Sequence, residues 1–300
     1  MKTTFRTRQP YADIFLKCAE EFICNSLVKP EHFISCMENN QGAVAGITGK
    51  GLDEEGLERK NPVIVALGDS VTAGHFESLL PTDQKVIEKL AQKMMDAGDK
   101  GISKDDIEEF EFHDIEITDA RESYVEKFRN LLIDKYERTS VSVINAGIAG
   151  DTLVSMSKRA YRDVIRYQPD LILLNGSLNW SPELGSTEDY KKILVELVRR
   201  LKKETSADIV LLTPNGEVKN QSRFMECMGI KVPEITTPER VTAIREVARE
   251  EQVCLADVYA VWKAAKEHGC PWSELLANGS NHPGVEGHEV YAKVLMKLFE

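Results

Sequence analysis

Four stretches of the chain carry side chains able to do chemistry. The first is Val63-Ile64-Val65-Ala66-Leu67-Gly68-Asp69-Ser70, in which five apolar residues run into a glycine, an acid and a serine. A short apolar run closed by a turn signal reads as a fully buried strand, and Gly68 permits a sharp turn at its end. Ser70 then stands at the carboxyl end of a strand and the start of a helix, where open α/β sheets bind ligands. Backbone N–H groups at a helix start favour developing negative charge, so Ser70 is a candidate nucleophile. Its alternative role is that of a plain helix cap.

The second stretch is Asn145-Ala146-Gly147-Ile148-Ala149-Gly150-Asp151-Thr152. Gly150 lets its N–H approach a substrate closely, or it serves only a tight strand-to-helix turn. The third is Asn175-Gly176-Ser177-Leu178-Asn179-Trp180. Asn179 can offer a side-chain N–H to an oxyanion or fix its own loop. The fourth is Asn278-Gly279-Ser280-Asn281-His282-Pro283-Gly284, a polar loop ahead of the last helix. A histidine there can act as general base, because imidazole titrates near working pH.

These loops need a frame, and the hydropathy pattern supplies one. Short apolar runs beginning at 63, 141, 171, 209 and 253 alternate with helical periodicity over 121–136, 152–167, 189–204, 238–251, 258–267 and 285–299. Strands alternating with helices predict a parallel sheet covered on both faces. The expected fold is a flavodoxin-like three-layer α/β/α sandwich with a central parallel five-stranded sheet. Residues 1–60 precede that sheet. They read as an N-terminal helical extension packed on a main domain of residues 61–300, with a first helix over 12–27 and a second apolar cluster at Phe33, Ile34 and Met37. An acidic stretch at about 77–116 reads as a helical insertion. It is either a solvated face or a lid over the site, being so close to Ser70 in the chain.

In this order, the four loops resemble the sequence blocks of the SGNH (GDSL-type) hydrolases. Gly68-Asp69-Ser70-Val71 resembles the nucleophile block, with Val71 where leucine is frequent. Gly150 matches the oxyanion glycine, Asn179 the oxyanion asparagine, and Asn281-His282-Pro283 with Gly287-His288 the histidine block. The resemblance implies a serine esterase working through a covalent acyl-enzyme, with Ser70 as nucleophile and His282 as base. Ser70, Gly150 and Asn179 would supply the oxyanion donors. Two departures stand out. Ser177 replaces a frequent glycine, and Gly279 stands where the family often has aspartate three residues before the histidine. An imidazole whose second nitrogen is not held loses about 10⁴ in turnover in a serine protease. The expected site is therefore a Ser70–His282 dyad oriented by Asn278, Asn281 or a backbone carbonyl, with Asp257 as a distant alternative.

Composition narrows the partners. A formal net charge of −11 argues against nucleic acid or anionic membrane. No apolar stretch has the length of a membrane span, and the basic N-terminus lacks the apolar core of a secretory signal. The six cysteines are scattered, as in a reduced cytoplasmic protein, and neither zinc-ligand spacing nor a phosphate loop is present. No cofactor and no metal are expected. His288 is expected to pack the last helix, Trp180 to line the site or the core, and Trp272 to be placed for stacking on a sugar. The favoured substrate is a small-molecule ester with a short, acetyl-sized acyl group on a carbohydrate. The alternatives are a lipase or lysophospholipase activity, or a ligand-binding relative without turnover.

Overall fold

In the computed structural model, the described residues are 8–40, 61–76, 89, 92–93, 95–97, 117–137, 140–218, 237–278 and 280–300. The expected helical insertion falls almost wholly outside them. Five parallel strands form the central sheet: β1 (Val63–Gly68), β4 (Ser142–Gly147), β5 (Leu171–Asn175), β6 (Asp208–Leu212) and β7 (Cys254–Ala256), in the spatial order β4-β1-β5-β6-β7. Taken in sequence order this is 2-1-3-4-5, the flavodoxin-like arrangement. Two further strands, β2 (His75–Phe76) and β3 (Ile117–Thr118), pair antiparallel. Phe76 lies opposite Ile117, so the chain leaves and re-enters the main domain at one place.

Period-two alternation along each strand divides the core into two layers. Ile64, Ala66, Leu171, Leu173, Val210, Leu212, Cys254 and Ala256 face one layer. Val65, Leu67, Ile172, Leu174, Ile209, Leu211 and Leu255 face the other. Because both their faces are buried, the inner strands β1 and β5 read as apolar runs, whereas the edge strand β4 is only partly buried and carries Ser142 and Asn145.

The first layer is roofed by α1 (Ala12–Glu20), α2 (Glu31–Asn40), α4 (Tyr124–Lys135), α8 (Val258–Glu267) and α9 (Val285–Met296). The second is roofed by α5 (Leu153–Asp163), α6 (Thr187–Glu204) and α7 (Thr237–Glu250). The short α3 (Ser70–Ala73) sits at the carboxyl end of β1. Capping explains several starts. Ser123, Thr152 and Ser186 each accept a backbone N–H from the first turn of α4, α5 and α6, the last two in reciprocal capping boxes.

Four helices differ by three or more residues from their sequence expectation, among them α9, which gives way to a 3₁₀ turn at Lys297–Phe299. α1 ends at Glu20 instead of Leu27, because the chain beyond it runs along the edge strand. There Ser26 Oγ accepts the N–H of Leu255 at 3.0 Å, and Asn25 donates to Asp257 at 2.8 Å. Covering an edge in this way blocks pairing with another chain. α5 stops at Asp163, followed by a 3₁₀ turn at Ile165–Tyr167, and α4 starts at Tyr124 after a 3₁₀ turn at Ala120–Glu122.

The N-terminal segment shares the main core. Phe15 of α1 is fully buried and meets the ring of Trp262 edge-on at 4.9 Å. Phe15→Ala is expected to destabilise the whole domain by about 3–5 kcal/mol in urea unfolding. A loss under about 1 kcal/mol would show that α1 lies outside the cooperative unit.

Candidate active site

The site begins with a steric requirement at the end of β1. A Cβ on Gly68 would lie 1.9 Å from Thr72 Oγ1 and 2.9 Å from the Asn175 carbonyl. Only glycine lets the chain double back into α3 at once. Gly147, at the end of neighbouring β4, is similarly constrained, since its Cβ would meet Ala73 N at 2.2 Å. Asp69 is extended and caps α3, its Oδ1 accepting the Val71 N–H at 3.0 Å. Gly74, at φ +87°, closes the turn and donates its N–H to the Ser70 carbonyl. Ser70 is thereby fixed in the first turn of a helix, its side chain aimed along the sheet's carboxyl edge.

His282 arrives from the other end of the chain. Ser70 Oγ and His282 Nε2 are 2.9 Å apart, and both residues are buried. The loop carrying the imidazole is held by Asn278. Its Oδ1 accepts the backbone N–H groups of Ser280, Asn281 and His282, each at 3.0 Å, and its Nδ2 donates to Asn281 Oδ1 at 2.8 Å. Asn278 thus acts on His282 through its backbone. Asn215, at the exit of β6, adds a bond from its Nδ2 to the Asn281 carbonyl at 2.8 Å. The N–H of Ala277 closes on the His282 carbonyl at 2.7 Å.

Gly150 and Asn179 are brought together by one bond. Asn179 Nδ2 donates to the carbonyl of Asp151, next to Gly150, at 3.0 Å. Gly150 has φ +70° and open space where a side chain would stand. Its loop is tied to the nucleophile turn at the Gly68 carbonyl, which accepts both the Ile148 N–H at 3.1 Å and Arg159 Nη2 at 3.0 Å. Arg159 is buried and also binds Asp151 at 2.6 Å and Asp163 at 2.9 Å. Nothing in the motif pattern singled out Arg159, although its i, i+4 relation to Asp163 on a helix was visible.

Other candidates fall elsewhere. Asp257 receives Arg245 through two nitrogens at 2.9 and 3.0 Å, along with Asn25 and Thr213. Its side chain makes no cap to α8; Thr213 Oγ1 takes the Tyr259 N–H instead. Trp180 is buried against Tyr190 with its indole N–H on the Gly185 carbonyl, which makes it a core residue. Trp272 lies between Gly216, Tyr259 and Lys266, with its N–H on the Trp262 carbonyl. His288 is fully buried, accepts the Tyr124 N–H through Nδ1 at 3.1 Å, and is pushed down to about 3 by burial, so it stays neutral. Like Arg159, His75 escaped the motif reading; it lies just past Gly74, its ring edge-on to that of His282 at 6.3 Å between centroids.

A buried serine–imidazole contact beside a glycine loop and an asparagine, all at the carboxyl edge of a parallel sheet, is an arrangement able to support acyl transfer. Residues 66–290 match the profile of the GDSL-like Lipase/Acylhydrolase family, and the chain belongs to that family of carboxylic ester hydrolases. It is 25% identical over 187 residues to an acetylxylan esterase of Geobacillus stearothermophilus, covering 58% of this chain and 79% of that one. The fold is shared with solved structures. One is a variant of an acetyl xylan esterase from the same organism, with a TM-score of 0.52, 20% identity, and coverage of 79% of this chain and 94% of that one. Another is a GDSL-like lipase from Parabacteroides merdae, with a TM-score of 0.54, 18% identity, and coverage of 80% and 95%.

Asp69 gives the site a testable pH signature. Its carboxyl is wholly buried beneath Ser70, and that burial pushes it from 3.8 up to about 7, against the pull of the Val71 N–H. Between those values the folded chain holds a proton that the unfolded chain has released. Stability therefore falls as pH rises from about 4 to about 7 and levels off above, by up to roughly 4 kcal/mol. Asp69→Asn keeps the oxygen that caps Val71 and cannot ionise. Its urea midpoint is expected to gain on that of the wild type as pH rises from 5 to 8; parallel pH profiles would show that Asp69 carries its charge in the fold.

Proposed function

We propose that this chain is a serine esterase that removes short acyl groups, acetyl foremost, from carbohydrate esters. The observation that carries this reading is the 2.9 Å approach of Ser70 Oγ to His282 Nε2 at the mouth of a glycine loop. His282 Nε2 takes the hydroxyl proton as Ser70 Oγ bonds to the ester carbonyl carbon. The oxyanion accepts hydrogen bonds from the N–H groups of Ser70 and Gly150 and from the amide of Asn179. Collapse of the tetrahedral intermediate breaks the carbon–oxygen bond to the sugar, and His282 delivers its proton to the departing oxygen. Water then repeats the sequence on the acyl-enzyme, releasing the acid and restoring Ser70.

Asn278 acts in this scheme as a positioning residue, holding the main chain on both sides of the imidazole. The substrate class draws support from the acetylxylan esterase similarity. Solved catalytic variants of that esterase change a serine, an aspartate and a histidine, the aspartate three positions before the histidine. This chain has Gly279 at the corresponding spacing from His282. Its imidazole is therefore held differently, and the Asn278-braced loop takes over part of that work.

Release of acetate from acetylated xylo-oligosaccharides and hydrolysis of p-nitrophenyl esters test the proposal. Turnover is expected on acetate and to fall steeply as the acyl chain lengthens; a preference for decanoate would replace the carbohydrate reading by a lipase. Ser70→Ala is expected to lose all measurable turnover and all labelling by a fluorophosphonate while melting like the wild type. Full activity in that variant would remove Ser70 from the mechanism, and failure of the wild type to label would leave a binding protein. Asn179→Ala is expected to lower kcat about 10²–10³-fold with little change in KM, as loss of one oxyanion donor does.

A further inference from the structure

At the opposite end of the sheet, three donor atoms of three different elements meet. His32 and Cys36 are one turn apart on α2, and so share a face of the helix. Both point at Asp170, which immediately precedes β5 and is buried. His32 Nε2 lies 3.5 Å from Asp170 Oδ1, Cys36 Sγ lies 3.8 Å from the same oxygen, and Sγ and Nε2 are 3.7 Å apart. We infer that His32, Cys36 and Asp170 form a zinc-binding site that fastens the N-terminal helix α2 to the sheet.

The triangle of distances carries the inference. A carboxylate that merely hydrogen-bonds an imidazole draws it to about 2.7–2.9 Å. Here the nitrogen stands well beyond that range. Ligands around a tetrahedral zinc must instead stay apart. Bond lengths of about 2.0 Å to oxygen, 2.05 Å to nitrogen and 2.3 Å to sulfur put the ligand atoms about 3.3 Å (N···O), 3.5 Å (S···O) and 3.6 Å (S···N) from one another. The observed edges are 3.5, 3.8 and 3.7 Å, each within 0.3 Å of those separations and in the expected direction of a slightly open site. One nitrogen, one thiolate and one carboxylate oxygen form a donor set suited to zinc, not to calcium or magnesium.

The carboxylate is also braced as metal ligands generally are. Asp170 Oδ2 accepts the Val63 N–H at 2.8 Å, which leaves Oδ1 directed at α2. The His32 side chain is 41% exposed, so a water can complete the tetrahedron and the ion can enter from solvent. On binding, the Cys36 thiol gives its proton to solvent and the thiolate bonds the metal. The sequence pattern hid this site because two ligands lie on one helix and the third is 134 residues further on.

The full-length reduced chain, stripped with a chelator, tests the assignment. Cobalt(II) titration is expected to saturate at one ion per chain with a thiolate-to-cobalt charge-transfer band and tetrahedral d–d bands, both displaced by zinc. Cys36→Ser is expected to abolish the charge-transfer band. His32→Gln, at an exposed position, is expected to weaken binding at least 10-fold and serves as well should the serine variant fail to fold. Zinc at about 100 times its dissociation constant is expected to raise the melting midpoint by about 4 °C. Hydrolysis of p-nitrophenyl acetate at 25 °C is expected to be the same with and without the ion. Absence of the cobalt bands, or bands that persist unchanged in both variants, would overturn the site and leave an ordinary polar contact.

Discussion

The serine–imidazole contact depends on how abruptly β1 can end. A helix must begin within one residue of a buried strand, and the room for it is created by absent side chains. At Gly68 a Cβ would overlap Thr72 Oγ1, and at Gly147 it would overlap the backbone of Ala73. With both positions bare, α3 nestles against β1 and β4, and the Gly68 carbonyl is left at the sheet's edge as a fixed acceptor. Ile148 N and Arg159 Nη2 converge on it, so the loop bearing Gly150 takes its position from the same turn that positions Ser70. One backbone oxygen thus sets the relation between the Ser70 turn and the glycine loop.

Beneath this turn lies a layer of buried polar groups, unusual for the centre of an α/β core. Thr72 Oγ1 and Tyr124 OH are 2.9 Å apart, and the Tyr124 N–H meets His288 Nδ1. Tyr291 OH bonds both the N–H and the Oδ1 of Asn215, whose own amide holds the Asn281 carbonyl next to His282. Burying such groups is costly unless they satisfy one another, and satisfied networks permit few alternative packings. These two sets of bonds meet where the rings of Tyr124 on α4 and Tyr291 on α9 stack at 4.9 Å, so polar contacts and ring packing together run from α3 to the exit of β6. The two loops that carry Ser70 and His282 are separated by 212 residues of chain and meet directly at 2.9 Å.

The sheet was legible because both its faces are covered. Ile64 to Leu67 and Leu171 to Leu174 had to be apolar at every position, and that continuity marked the strands; the flavodoxin-like order came from their alternation with helices. The turns at Ser70, Gly150, Asn179 and His282 were legible because tight turns and small polar side chains leave local signatures, while their joining into one site was implied by the family resemblance alone. What stayed hidden was set by distant partners. Helical periodicity continued past Glu20, yet Asn25 and Ser26 found better partners on Asp257 and Leu255, more than 200 residues away. Asp257, a plausible helix cap by position, was drawn to Arg245. His75 carried no motif, and its place beside the ring of His282 follows only from the left-handed turn at Gly74.

The two ends of the sheet face different physical demands. At the carboxyl end, loops must keep polar atoms exposed to a substrate, and each such atom is one the fold cannot use for its own cohesion. The amino end has no such obligation. There Asp170 binds β1 through the Val63 N–H and carbonyl and receives the Asp208 N–H of β6 on its own carbonyl, while Asp208 in turn accepts the Phe33 N–H of α2. These bonds link three adjacent strands and the N-terminal helix through two acidic side chains. A rigid amino edge holds the strand register, and register determines where each strand terminates. Since Ser70, Gly150 and Asn179 all lie within four residues of strand ends, a slip of one residue in β1, β4 or β5 would move its loop by about 3.3 Å, enough to separate the groups that the proposed mechanism brings to one carbonyl. Cohesion at the end without chemistry is thus what keeps the chemistry at the other end in place.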